Sequence, residues 1–410
     1  MKGLFAVALG VLTAIGGFLD IGDLVTSSVV GSRFGLTLTW AVVIGVIGIC
    51  LFAQMSGRVA AVSGRATFEI IRERLGARAA LANLGASFLI NLMTLTAEVG
   101  GIALSLQLAS SIEPTLWMPV AAFAVWLVVW RVKFSLLENV TGLMGLSLVI
   151  FAVAVFLLHP NWMDLGSQIL QQPSPHSDES PATYWYFAIA LFGAAMTPYE
   201  VFFFSSGAIE EKWGPKDLPQ SRLNVLVGFP LGGILSISIA ACAAIVLLPK
   251  GIAVDSLYET ALPIAQAAGK IGLIVVILGF VAATFGAALE VTLSSGYTIA
   301  QFFGMPWGKF RRPVRAARFH LVMIISLIVA LGVLLTGVDP VQVTELSVVF
   351  SAIALPLTYL PILIIANDPK YMGEYVNGKA MNFFGLIILG VILVASISAI
   401  PLMIITGAGS

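Results

Sequence analysis

Acidic side chains lie inside two of the most apolar segments of this chain. Asp20 and Asp23 stand in an apolar stretch of about residues 4–30, and Glu200 follows Pro198 in a second such stretch. A carboxylate at the centre of a bilayer costs roughly 2.5–3.5 kcal/mol on insertion scales, so such residues are usually functional. Glycine or proline beside each acid weakens its helix, and the exposed carbonyls are tolerated only where they line a polar cavity. The pattern predicts a cation site between two broken helices.

The candidate ligands of this site are all oxygen atoms. They are the side chains of Asp20, Asp23, Glu200 and Thr197, with the backbone carbonyls near Gly17 and Ala194. Oxygen ligands suit hard cations such as Mg²⁺, Ca²⁺ and Mn²⁺, and Mg²⁺ usually keeps several of its waters. The alternative is that the acids only bridge helices. No Lys or Arg lies near them in sequence, which argues against that alternative.

Two further acids, Glu98 and Glu290, lie within other apolar segments. Each is either a residue of the ion pathway or a structural acid held by hydrogen bonds, and the sequence leaves both interpretations open.

The composition indicates an integral membrane protein. The chain has 410 residues, of which 59% are hydrophobic and 10% charged, whereas soluble domains carry about 25% charged residues. We expect a single all-α transmembrane domain over residues 1–410, with no secretory signal peptide and no separate soluble domain. Eleven segments are long enough to span a bilayer: about 4–30, 36–57, 80–110, 117–132, 137–158, 183–209, 222–248, 266–302, 317–337, 341–366 and 381–407.

The distribution of basic residues predicts the orientation. With a cytoplasmic N-terminus, 18 of the 21 Lys and Arg residues fall on the cytoplasmic side, which also places the C-terminus outside. The expected location is the cell membrane, with the lipid bilayer as partner. The formal net charge of zero gives no reason to expect a nucleic-acid partner.

The number of segments predicts an internal repeat. Five spans, five more and one extra helix fit two inverted repeats, of about residues 1–158 and 183–366, followed by a helix at about 381–407. The first span of each repeat would be the broken one, because each carries the breaker and the acid.

Several motifs together resemble the NRAMP family of divalent-metal transporters over most of the chain. They are Asp20-Ile21-Gly22-Asp23, Phe34-Gly35-Leu36-Thr37-Leu38-Thr39-Trp40, the stretch 63–74, Ala97-Glu98-Val99-Gly100 and Met372-Gly373-Glu374-Tyr375-Val376-Asn377. The resemblance implies a LeuT/APC-like fold of eleven transmembrane helices with helices 1 and 6 broken. It also implies a transporter rather than an enzyme, with a divalent cation as substrate and no cofactor.

The chain departs from the family pattern at the positions that handle metal and protons. Thr197 replaces the family's methionine, Tyr199 its histidine and Glu200 its asparagine, while further family positions fall on Asp23, Leu95, Phe204, Val348 and Ala354. Sulfur and proton carriers are thereby lost and carboxylates gained, as in the NRAMP-related magnesium transporters of prokaryotes. That likeness implies uptake of partly hydrated Mg²⁺ by alternating access without proton coupling. Tyr199, Glu98 and Glu290 are candidates for the pathway.

Three alternatives remain at this point. The first is a Mn²⁺ or broad divalent-metal transporter of the NRAMP type, coupled to protons through Glu98. The second is an organic-solute symporter on the same scaffold, which the acids at the breaks disfavour for a carboxylate substrate. The third is a gated channel, although two broken helices favour alternating access.

Overall fold

The computed structural model describes residues 19–133, 136, 140, 145–170 and 180–407. These ranges are helical, with no strand among them. The α-helices are α1 (Ile21–Phe34), α2 (Thr39–Ser63), α3 (Thr67–Leu75), α4 (Ala77–Ser110), α5 (Pro114–Arg131), α6 (Val149–Leu157), α7 (Trp162–Leu170), α8 (Pro181–Ala194), α9 (Pro198–Glu210), α10 (Leu218–Val246), α11 (Leu257–Phe303), α12 (Ala317–Leu334), α13 (Pro340–Ala366), α14 (Pro369–Met372) and α15 (Lys379–Thr406).

Nine helical segments in the described ranges are long and apolar enough to cross a membrane. They coincide with nine of the eleven predicted spans, with α8 and α9 forming one segment, Pro181–Glu210. The predicted first span lies mostly outside the described residues, and so does the first part of the fifth. The connection between the predicted fifth and sixth spans contains the helix α7. This helix meets the preceding helical segment at an angle of 112°.

The central helices pack so closely that small residues are required between them. At Gly31 of α1, a Cβ atom would lie 2.2 Å from the Ala240 carbonyl oxygen of α10. At Gly193 of α8, a Cβ atom would lie 2.5 Å from the Val348 carbonyl oxygen of α13. These contacts hold the first described helix and the interrupted helix α8–α9 against the rest of the bundle.

One end of the bundle gathers most of the basic loops. Arg72 donates to the Phe302 carbonyl at 2.6 Å, and Arg74 pairs with Asp368. The Lys309 ammonium donates to the Val129 carbonyl. These bonds connect loops that are distant in sequence, and we call this end, which carries residues 64–78, 129–133, 210–217, 302–316 and 366–379, the basic end. It groups the loops that the charge pattern places on one side of the membrane.

Candidate functional site

The first acid pair lies at the N-terminus of α1. Asp20 has an extended backbone, with φ −105° and ψ −177°, and its Oδ1 accepts a hydrogen bond from the Asp23 N–H at 3.0 Å. The acids are therefore the cap and first turn of a helix, where the helix dipole stabilises negative charge. Gly17, the other predicted ligand of this break, lies outside the described residues.

The second break separates α8 from α9. Pro198 has no N–H, so the Ala194 carbonyl cannot accept the usual i+4 hydrogen bond and the helix ends there. The Met196 carbonyl in the break instead accepts a hydrogen bond from the Tyr359 hydroxyl of α13 at 3.0 Å. Helix α9 then starts at Pro198, with Thr197 as its cap residue and Glu200 in its first turn.

The start of α1 faces the break between α8 and α9. The Tyr199 hydroxyl, at the start of α9, donates to Asp20 Oδ2 at 3.3 Å. From α4, Glu98 Oε1 accepts a hydrogen bond from the Ile21 N–H at 3.1 Å. The C-terminal end of α8, the N-termini of α1 and α9, and the acid of α4 therefore meet in one region.

Five acids share this region, and several of their oxygens are unpaired. Glu200 lies within electrostatic range of Asp20, Asp23 and Glu290, and Glu98 within range of both aspartates. Asp20 is 2% exposed and Glu200 is 5% exposed. Among the described residues, five buried oxygens at this place make no hydrogen bond of good geometry, although the Thr197 hydroxyl lies close to Glu200 and the Ser236 hydroxyl close to Asp23: Asp23 Oδ2, Glu98 Oε2, Thr197 Oγ1 and both carboxylate oxygens of Glu200.

Buried and unpaired carboxylate oxygens are costly unless a cation or water compensates them. The described residues contain no group of three or more His, Cys, Asp and Glu side chains arranged to hold a single metal ion directly. The acids surround a common region rather than forming a tight ligand cage.

No sulfur was predicted among the ligands, and Met196 lies beside Thr197 in the break. Its side chain is fully buried and faces α2, where its sulfur would lie 2.5 Å from a Cβ atom placed on Gly48. Val348 of α13 packs against Gly22 between the two aspartates. The break therefore combines oxygen atoms with an apolar wall.

Sequence reasoning missed two positioning contacts of the site. Tyr359, which is 163 positions from Met196 in the sequence, donates to the Met196 carbonyl in the break of α8–α9. The hydroxyl oxygen of Ser236 in α10 lies 2.7 Å from the hydroxyl oxygen of Ser27 in α1. No local pattern marks either residue, since both are ordinary polar side chains in long apolar helices. A polar residue inside an apolar span is the single signal that could have drawn attention to them.

Known proteins resemble this chain over most of its length. The family profile described as "Natural resistance-associated macrophage protein-like", or Nramp, matches residues 10–401. A protein of Pectobacterium carotovorum subsp. carotovorum named "Divalent metal cation transporter MntH" is 25% identical over 395 residues, which are 93% of this chain and 90% of that protein.

Solved structures show the fold. A manganese transporter of Eremococcus coleocola superimposes with a TM-score of 0.73 at 19% identity, covering 97% of this chain and 86% of that one. Mhp1, a nucleobase-cation-symport-1 family transporter, superimposes with a TM-score of 0.62 at 14% identity, covering 96% and 92% of the two chains. The predicted LeuT-like fold of inverted repeats is confirmed.

Proposed function

Because the chain belongs to the Nramp family, whose profile matches residues 10–401, we propose that it transports a divalent metal ion across a membrane. The observation that carries this proposal is the meeting of Asp20, Asp23 and Glu200 between the start of α1 and the break of α8–α9, with buried carboxylate oxygens that make no hydrogen bond of good geometry. The names of the relatives, divalent metal cation transporters and a manganese transporter, support it. The same match favours metal transport over organic-solute symport.

Each predicted ligand has a role in this proposal. Asp20, Asp23 and Glu200 bind the ion or its waters. Thr197, with the carbonyls of Ala194 and Gly17, completes the shell. The looseness of the acidic cluster supports an ion that keeps part of its hydration.

Two kinds of observation bear on the identity of the transported ion: the names of the relatives and the atoms available as ligands. The names of the relatives favour Mn²⁺, and the comparisons give no support to Mg²⁺ as the main ion. The proposed ligands are all oxygen atoms, because the Met196 sulfur packs against α2. Oxygen ligands suit both Mn²⁺ and Mg²⁺. We therefore propose transport of Mn²⁺, with Mg²⁺ also accepted as a partly hydrated ion.

The direction of transport follows from charge. The basic end would face the cytoplasm, by the positive-inside rule, with the C-terminus outside and the site near the bilayer midplane. A membrane potential of 100 mV provides about 2.3 kcal/mol per charge, hence about 4.6 kcal/mol for a divalent ion. Uptake by alternating access between repeats of about 1–158 and 183–366, with 381–407 as an added helix, then requires no proton coupling.

The proposal is tested with purified protein in liposomes. Mn²⁺ and Mg²⁺ uptake is recorded with internal metal-sensitive dyes for the unchanged protein, for Asp20→Ala and for Glu200→Gln. Losing one carboxylate should lower uptake by on the order of 10–100-fold, which is the range typical when a residue that supports a metal site is replaced. Glu374→Gln is the matched control, because this acid lies at the basic end, away from both breaks.

Uptake of neither metal by the unchanged protein, with correctly reconstituted folded protein, would contradict metal transport. Equal losses in Glu200→Gln and Glu374→Gln would show that the carboxylate of α9 has no special part. Uptake of Mn²⁺ without Mg²⁺ would remove the second ion from the proposal and leave the first.

A further inference from the structure

A polar pocket opens at the basic end, separate from the metal site. Its volume is about 740 Å³, within the range of roughly 300–1,000 Å³ that small-ligand sites occupy. Among the residues lining it are Lys133, Lys212, Lys216, Lys309, Trp213 and Phe310. We call it the lysine pocket.

The most buried acid of the lysine pocket is occupied by internal donors. Glu210 Oε1 accepts hydrogen bonds from the Tyr297 hydroxyl at 2.9 Å and from the Lys309 N–H at 2.5 Å. Its Oε2 accepts from the Phe310 N–H at 3.1 Å. This carboxylate therefore fixes the loop after α11, and both of its oxygens are engaged by donors of the protein itself.

The remaining negative groups of the pocket are also occupied locally. Glu211 accepts from the Trp213 indole N–H at 2.8 Å, and Asp217 accepts from the Gly214 N–H at 2.9 Å. Carbonyl groups in the last turn of α9 are paired as well, because they accept hydrogen bonds from the N–H groups of residues 211–213. The acids and carbonyls thus have partners within the pocket wall.

The lysines are in the opposite situation. The ammonium group of Lys309 donates to the Val129 carbonyl and belongs to the wall. Within the described part of the chain, Lys133, Lys212 and Lys216 make no hydrogen bond or ion pair through their ammonium groups. The lining therefore carries four positive and three negative charges, and the three ammonium groups that lack a partner among the described residues are available to an anion.

We propose that the lysine pocket binds a phosphate-bearing anion, which is either a soluble nucleotide or the headgroup of an anionic lipid. Ammonium groups bind phosphate oxygens as point charges, and three of them match the two or more charges of a phosphate group. The ring of Phe310, 52% exposed, offers an apolar surface beside them. Such a ligand would sit at the end of α9, whose other end carries Glu200 about 18 Å away.

Full-length protein is tested for binding with every metal removed by EDTA. Sodium ATP and sodium pyrophosphate are titrated against protein in neutral detergent, by calorimetry. In a second arm, thermal unfolding is compared in nanodiscs of phosphatidylcholine with and without phosphatidylglycerol. The variants are Lys212→Gln/Lys216→Gln and Lys133→Gln. The matched control is Lys379→Gln, a lysine of the same end that does not line the pocket.

Loss of two ammonium contacts should weaken binding by on the order of tenfold. The nucleotide source is supported if a soluble anion binds the unchanged protein and Lys379→Gln equally, but binds Lys212→Gln/Lys216→Gln about tenfold more weakly. Stabilisation by phosphatidylglycerol that is lost in the double variant but kept in Lys379→Gln supports the lipid source.

Binding of neither anion, or equal weakening in Lys379→Gln, would overturn the proposal. Because the assay contains no transported metal, such a failure would leave the proposed transport function untouched, and failed metal uptake would leave the pocket untouched. Lys133→Gln guards against a folding defect confined to residues 211–217, since it removes a charge from a distant part of the chain, just after α5.

Discussion

We expect Thr197 to be the residue at which the identity of the transported ion is most easily changed. Thr197 is the N-cap residue of α9, but its buried hydroxyl makes no capping hydrogen bond and lies beside Glu200. We predict that Thr197→Met lowers Mg²⁺ uptake relative to Mn²⁺ and Cd²⁺ by roughly 3–10-fold. A thioether adds a soft donor and takes the space of water around the ion. Competition between the metals in liposomes measures this ratio.

Thr197→Val is the control for this substitution. It removes the hydroxyl without adding sulfur, so it separates the loss of an oxygen donor from the gain of a soft one. If Thr197→Met and Thr197→Val change the metal ratio equally, then sulfur chemistry is not involved.

At this scale, the sequence predicts the acids of the site better than the contacts that position them. Asp20, Asp23 and Glu200 are conspicuous because a charge in an apolar span is expensive. The bond from Glu98 to the Ile21 N–H joins residues 77 positions apart, and its geometry depends on how α4 packs against α1. For that reason the sequence left the role of Glu98 open.

At the scale of helices, close packing fixes where the breaks meet. A methyl group on Gly31 would collide with the backbone of α10, which cannot move aside as a flexible side chain could. We predict that Gly31→Ala destabilises the protein by about 1–3 kcal/mol, the usual cost of overpacking. Thermal unfolding of the purified protein in detergent measures the change.

Gly390→Ala in α15 is the matched control. No atom lies within 4 Å of the position that its Cβ would take, so the better helix propensity of alanine should leave stability equal or higher. Destabilisation of the same size in both variants would mean that loss of glycine flexibility, and not the contact of α1 with α10, is responsible.

The short helix α3 is tied to α14 by charges at the basic end. Glu73 accepts hydrogen bonds from Lys370 at 2.9 Å and from Arg65 at 2.7 Å, and these cations lower the pKa of Glu73 to about 2. Because the pKa is lowered in the folded state, the interaction stabilises the folded protein at pH values above about 4.5, the ordinary pKa of this carboxyl group. The stabilisation is lost as the pH falls toward 2. The link should therefore be constant between about pH 5 and pH 8.

Spin labels on Arg78→Cys and Glu374→Cys report on this link, since the native Cys50 and Cys242 are buried. The distance distribution between the labels should stay narrow from pH 8 to about pH 5 and broaden as the pH falls further. With Glu73→Gln added, it should be broad at every pH. A narrow distribution in that variant would show that apolar contacts of α3 alone hold the loop.

The helices themselves were more predictable than the links between them. Pro198 marks the break between α8 and α9 in sequence, because proline cannot donate to the preceding turn. Helix α7 was not predicted from the sequence. Its nine residues are too few to span a bilayer, and the connection that contains them is polar at its ends. Its role becomes visible only in three dimensions, where Gln168 accepts a hydrogen bond from the Leu36 N–H at 3.2 Å.

At the scale of the whole molecule, burial of the site shapes how transport could be driven. Asp20 and Glu200 are buried among helices of both halves of the chain, so under the proposed function an ion would reach them only when the bundle opens on one side. The two acids lie at N-termini of separate helices, α1 and α9, and such helix ends can move relative to each other without breaking a continuous helix. This agrees with alternating access and gives the membrane potential a charge to act on.

The last prediction concerns protons, and we expect metal uptake without accompanying proton influx. The positions that resemble the family's proton carriers hold Tyr199, Phe204 and Leu95, and none of these side chains cycles a proton at neutral pH. Glu98 is the one acid left at those positions, and its Oε1 is already engaged by the Ile21 N–H. The measurement is internal pH during Mn²⁺ and Mg²⁺ uptake in liposomes, with valinomycin and K⁺ fixing the voltage so that leak is not mistaken for coupling. The internal pH should follow the metal-free control. Acidification that scales with metal uptake and disappears in Glu98→Gln would instead show that protons travel through Glu98 and that transport is coupled.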